Sequence, residues 1–130
     1  AGTKPINAAM RRRMSVWLNF DYMSLGDDLD EKEFKMVSEK GDVSLEEAET
    51  IVKIGAKLRL EYKMGDIPYG PSVGDLVNWA KICSDGVDIM EGADETIVPM
   101  TSDDPEVQDE VRHIIKKILE SQTAARRTQA

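Results

Sequence analysis

Among 130 residues there is one cysteine, Cys83, and one histidine, His113. A single cysteine excludes an internal disulfide framework and any cysteine-based zinc cluster. A single histidine excludes His-rich metal sites and argues against a His-based catalytic dyad. Aromatic residues make up only 5%, which leaves few rings for stacking nucleic-acid bases. No apolar run approaches the roughly 18 residues that a membrane helix needs, and the sequence shows no signal-peptide pattern. Positive charge is in deficit: 17 Lys+Arg face 25 Asp+Glu, for a net charge of -8. That balance is the reverse of what a phosphate backbone requires, so neither nucleic acid nor membrane is expected as a partner. Phosphate-binding loops are missing too. No G-x-x-x-x-G-K-[ST] occurs; Gly55-Ala56-Lys57 falls inside a helical pattern, and Gly2-Thr3-Lys4 runs into Pro5. No apolar strand ends in Asp-Glu, the pair that would hold a metal ion for ATP hydrolysis. By itself the chain is expected to bind no nucleotide and no metal.

What remains is a soluble, globular composition, 41% hydrophobic and 32% charged, of a length that buries one modest core without staples. The first residue is Ala1, which reads as a processed chain or as a piece of a longer one. Charge is unevenly spread. Residues 1–13 hold Lys4, Arg11, Arg12 and Arg13 with no acid, whereas Asp27 to Glu49 hold ten acids and three lysines. Residues 123–130, rich in Thr, Ala and Gln with Arg126 and Arg127, read as a flexible tail.

From Met14 to Tyr22 apolar residues occupy every even position, which predicts a β-strand. It is the only convincing one, and a lone strand leaves its backbone groups unpaired. It either docks on a part of the protein outside this chain or lies irregularly on the helices. Four helical patterns follow. The first runs from about Asp28 to Lys40, with Gly41 as its expected C-terminal cap. The second opens on Ser44 and Glu47 in capping-box spacing, carries Ala48, Ile51, Val52, Gly55, Leu58 and Tyr62 as its stripe, and ends at Gly65. The third begins near Ser72, places Leu76, Trp79, Ala80 and Cys83 on one face, and ends at Gly86. The fourth starts at Asp104-Pro105, an N-cap followed by proline at the first helical position, with Val107, Val111, Ile114, Ile115, Ile118 and Leu119 apolar. The expectation is a mainly α domain of four amphipathic helices, preceded by a basic arm and one strand.

Arg11-Arg12-Arg13, just before the strand, is the most informative cluster. Three guanidinium groups there cannot all be buried unpaired. A fixed arginine can stabilise charge growing on a phosphoryl group held by a neighbouring subunit, worth about 10³–10⁵ in rate; spacing alone favours a solvated basic turn. His113 falls opposite the apolar stripe of the last helix and reads as a surface residue. Cys83 and Trp79 lie on a core stripe and read as packing. The acidic stretch lacks calcium-loop spacing and reads as a solvated face.

The residues Gly2-Thr3-Lys4-Pro5-Ile6-Asn7-Ala8-Ala9-Met10-Arg11-Arg12-Arg13-Met14, followed by Asn19-Phe20-Asp21-Tyr22, resemble a segment of MoxR-type AAA+ ATPases. The pattern there is G-T-x-x-[LI]-N-x-A-[LM]-R-x-R-F … F-D-Y. The resemblance is to the CbbQ/NorQ/NirQ group. Gly70-Pro71-Ser72 with Leu76-Val77 is similar to the group's G-x-S-T-R-x-L-V, and Val98 to Val107 to its P-L-T-D-D-P-[DE]-V. The resemblance implies that residues 1–22 close an AAA+ α/β core, 23–122 form a helical lid, and 123–130 are a tail. It implies that Arg13 and Arg11 are arginine-finger candidates acting in trans, with Arg12 in place of an acid. It further implies a ring of identical subunits, ATP and Mg in the parent protein, a von Willebrand factor A domain partner, a metalloenzyme client and a cytoplasmic location. The chain departs from the group where T-R is expected in the lid's third helix: Val73-Gly74 stands there, so the sensor 2 position is occupied by Gly74 and offers no charge.

Two other readings are weighed against this one. A cobaltochelatase small subunit shares echoes of Ile6-Asn7-Ala8-Ala9 and Asn78-Trp79-Ala80 but not the Thr101 to Val107 ending. A stand-alone helical interaction module would use the acidic stretch Asp27 to Glu49 against a basic partner, weakened by salt and indifferent to ATP.

Overall fold

The computed structural model describes residues 22–129, with no side-chain account beyond Ala125. Arg11, Arg12, Arg13 and all of the expected strand except Tyr22 lie outside the described residues. Among the described residues six helices follow one another: α1 Glu31–Gly41, α2 Leu45–Lys63, α3 Val73–Ser84, α4 Ile89–Glu95, α5 Ile97–Thr101 and α6 Pro105–Gln129. Among the described residues the only β-type pairing is the isolated bridge Leu25–Asp28. The fold is mainly helical, a small helical domain of the lid type.

The first helix starts three residues later than its acidic pattern suggests. Residues 25–28 are spent on a tight turn, closed by Leu25 N–H to Asp28 O at 2.9 Å and its return at 3.0 Å. Asp30 then caps α1, its carboxylate accepting from Lys32 N–H at 2.9 Å. The other end differs from expectation. The left-handed residue is Asp42, at φ 58, and Gly41 is still helical and buried. Gly41 is needed for close approach instead: a β-carbon there would overlap the Cβ of Ala80 on α3.

Helix α2 is the central element. Ser44 accepts from Glu47 N–H at 3.1 Å, one half of the anticipated box. The reciprocal box forms at the next helix, where Ser72 and Asp75 each accept from the other's backbone. Burial on α2 extends past the expected stripe to Ile54, Ala56 and Arg59, because α1, α3 and α6 all pack against it. Gly55 admits the side chain of Leu76 from α3, whose methyls would lie 2.7 and 2.8 Å from a β-carbon.

The short helices α4 and α5 were not anticipated. At seven and five residues they span less than two turns, too short to show a helical period. They fill the gap between α3 and α6 with Ala93, Ile97 and Val98, all fully buried. Trp79 locks them in place: its indole N–H donates to Ile89 O at 2.9 Å, and a β-carbon at Gly92 would lie only 3.0 Å from its Cδ1.

The start of α6 at Pro105 behind Asp104 agrees with the sequence; the Asp104 carboxylate accepts from Glu106 N–H at 3.0 Å. Its end does not. The helix runs on to Gln129, through the residues expected to be flexible, since Ala and Arg are good helix formers. Thr50 of α2 anchors that extension, donating to Gln122 Oε1 at 2.9 Å.

Candidate functional site

The segment that leads into the helices, Tyr22 to Ser24, meets the loop before α3 around one side chain, Arg59. Its guanidinium is 1% exposed and makes four hydrogen bonds. Nε donates to Pro71 O at 2.8 Å, Nη1 to Ser24 O at 2.9 Å and to Glu33 Oε1 at 2.9 Å, and Nη2 to Glu33 Oε2 at 2.6 Å. The Glu33 side chain is equally buried. Such a fork-to-carboxylate pair places two charges in a dry interior at acceptable cost only because its donors and acceptors are satisfied. The pair joins α1 to α2, and the two carbonyls add the incoming segment and the α3 loop. Four parts of the chain are held by one residue.

Tyr22 covers this centre. The Arg59 guanidinium lies 4.7 Å from its ring centroid, a cation–π distance. Its hydroxyl donates to Gly70 O at 3.3 Å, and a β-carbon at Gly70 would lie only 2.6 Å from that oxygen. Burial pushes the Tyr22 phenol up to about 12, with Arg59 opposing and Tyr62, Tyr69 and Asp75 adding to the rise. On the outer side Lys63 stands 5.9 Å from the same ring.

Beside this cluster α3 begins. Asp75 Oδ2 accepts from Ser72 N–H at 2.8 Å and from the Tyr69 hydroxyl at 3.5 Å. Gly74, the second residue of α3, is exposed, and the nearest atom to a β-carbon there is Ser72 Oγ at 3.7 Å. Its missing side chain is therefore not a packing requirement. The first turn of α3 carries Asp75 and no cation, with the Ser72 hydroxyl at its N-cap. Arg59 does not replace one, since Glu33 and two carbonyls already engage it.

The model of the CbbQ/NirQ/NorQ C-terminal family matches residues 33–118, which is more than half of the chain. The chain belongs to this family. It is a C-terminal part of a MoxR-type AAA+ ATPase, and the helical domain is its lid. No curated protein matches the chain. The family match begins at Glu33 itself and takes in Arg59, the α3 start and most of α6.

Within the lid of this CbbQ/NirQ/NorQ-type chain, several sequence readings can be placed. Gly74 does stand at the opening of the third long helix, while Arg11 and Arg13 lie outside the described residues. Cys83 is buried, and burial pushes its thiol up to about 11, with Glu47 and Asp88 adding to the rise, which suits an inert packing residue. The acidic stretch is not wholly a solvated face, because Glu33 within it is fully buried. Arg59 was missed by sequence reasoning, though a signal exists: it falls seven residues after Val52 and four after Gly55, on the apolar stripe itself. Among the described residues no group of acids, histidine and cysteine is placed to hold a metal ion, and no helix is long and apolar enough to cross a membrane.

Proposed function

We propose that this chain is the lid end of a CbbQ/NorQ-like ATPase whose parent couples ATP hydrolysis to the activation or remodelling of a metalloenzyme. The observation that carries the reading is the family match across residues 33–118. The parent works as a ring of identical subunits in the cytoplasm, with a von Willebrand factor A domain partner. Arg13 and Arg11 reach ATP held by the neighbouring subunit, where a planar fork on phosphate oxygens favours charge developing during transfer.

The described residues do not fit Mg and ATP on their own, since no group of acids among them is placed to hold a metal ion and Gly74 stands at the opening of α3 where the family pattern has a cation. Their part in the proposal is mechanical. The Arg59 centre ties the incoming Tyr22–Ser24 segment to α1, α2 and the start of α3, so a rotation of that segment turns the lid as one body. Four hydrogen bonds, two of them within the buried Arg59–Glu33 pair, resist internal slippage better than an exposed contact would.

The test is ATP turnover by the full-length parent carrying Arg13→Ala or, separately, Arg11→Ala. Turnover falls by about 10³ or more for a finger residue, while ATP binding persists. Unchanged turnover in both variants overturns the finger assignment.

A further inference from the structure

The loop from Met64 to Ser72 carries the chain from α2 to the opening of α3. It leaves α2 through Gly65, which sits at φ 85 in open space. Ile67 anchors it in the hydrophobic core, while Asp66, Pro68 and Tyr69 are exposed. Beyond Ile67 two donors tie the loop to the domain behind it. The Tyr22 hydroxyl donates to Gly70 O at 3.3 Å, and Arg59 Nε donates to Pro71 O at 2.8 Å. Among the described residues the only other hydrogen bond made by residues 68–71 is that of the Tyr69 hydroxyl to Asp75, which belongs to α3 itself.

The two donors do not act separately, because the Arg59 guanidinium lies 4.7 Å from the Tyr22 ring centroid. Gly70 is fitted to them. A β-carbon there would lie 2.6 Å from the Tyr22 hydroxyl and 3.2 Å from the Tyr62 ring, so a larger residue would push the hydroxyl off the carbonyl. The next residue but one is Ser72, the N-cap of α3. Its hydroxyl accepts from Asp75 N–H at 3.2 Å, its amide donates to Asp75 Oδ2 at 2.8 Å, and its carbonyl accepts from Leu76 N–H at 3.1 Å. A cap satisfies the free amides of a first turn only while its own backbone is held in place.

We propose that Tyr22 is a positioning residue for the opening of α3: its hydroxyl, with Arg59 against its ring, latches Gly70 and Pro71 and so keeps Ser72 in capping position. Withdrawal of Tyr22 with the incoming segment releases the first turn of α3. The rest of the lid stays folded, since neither the Arg59–Glu33 pair nor the packing of α1 on α2 uses that hydroxyl. The meaning of the release rests on the ATPase reading, in which this is the turn where the family pattern has its cation. The latch itself needs no nucleotide.

The test is amide hydrogen exchange on the intact 130-residue chain without nucleotide, so that failure of the latch is read apart from failure of the ATPase reading. Tyr22→Phe keeps a ring against Arg59 and removes the hydroxyl. Exchange at Asp75 and Leu76 is expected to quicken about fivefold, as for the loss of one neutral hydrogen bond. Glu47 and Ala48, bonded in the same way to Ser44 at the opening of α2, exchange as before. Gly70→Ala displaces the hydroxyl from the other side and is expected to have the same local effect. The two substitutions together exceed the larger single effect by little. Unchanged exchange at Asp75 and Leu76 in Tyr22→Phe overturns the proposal. Equal acceleration at both helix openings overturns it too, since that marks a loss of overall stability, and so do multiplying effects in the double variant.

Discussion

Arg59 and Glu33 meet in a bidentate pair, 2.6 and 2.9 Å between donors and acceptors, with 1% of either side chain exposed. Each charge is tolerable only while the other is present. Glu33→Ala therefore strands a buried guanidinium and is expected to cost about 3–5 kcal/mol. Replacing both, as Glu33→Leu with Arg59→Met, removes both charges and is expected to lie closer to the wild type than either single variant. Recovery stays incomplete, because Ser24 O and Pro71 O lose their donor. Urea unfolding of the wild type, Glu33→Leu, Arg59→Met and the double variant checks this; additive losses would contradict it.

Gly41 and Ala80 test the packing of α1 on α3. Gly41→Ala puts two β-carbons in overlap, and the expected loss is about 1–3 kcal/mol. Ala80→Gly alone costs up to about 1 kcal/mol through helix propensity. In the double variant the Ala80 methyl is gone, so the Gly41→Ala penalty should largely vanish. A thermodynamic cycle measured by thermal unfolding reads the coupling directly.

Tyr22 gives the fold an alkaline limit. Its folded-state phenol is pushed up to about 12, against 10.0 for an ordinary tyrosine. The folded form therefore keeps a proton that the unfolded form gives up. This contribution is fully present below pH 10 and is lost as pH rises from 10 towards 12. Phenolate absorbance followed through a pH titration should show a component near pH 12 that Tyr22→Phe abolishes, beside that of Tyr69, whose phenol burial and Asp75 also push up. The same substitution should flatten the fall in stability over that interval.

Gly74 separates local structure from function. The position has room for a side chain, so Gly74→Ala should leave the fold unchanged and raise stability by up to about 1 kcal/mol. Gly74→Arg should fold equally well and return a cation to the opening of α3, where the family pattern has one. Circular dichroism and melting temperature check the first claim. The nucleotide affinity of the full-length parent checks the second, and is expected to rise in the arginine variant.

How much of this was legible beforehand follows from the range of the forces involved. The long helices, their stripes and the starts at Ser44, Ser72 and Pro105 are local: capping groups and a 3.6-residue apolar period act within a few residues, so they stand written in the chain. The motifs that place it in its family are equally local. Helices α4 and α5 escaped because less than two turns carry no period, and their shape is imposed by Trp79 and by the space left between α3 and α6. Gly41 was taken for a cap because its crowding partner, Ala80, lies far along the chain.

The same reasoning applies to function. Sequence alone placed arginines at 11 and 13 and a glycine at 74 in the motif positions on which the proposed function rests, since identity at a motif position needs no coordinates. Only the tertiary structure decided that Arg59 is a buried hub and not a surface cation. Only it decided that Tyr22 reaches Gly70 and the opening of α3. Residues far apart in sequence are brought together by burial of the common core, and no local pattern records which side chains that burial will make neighbours.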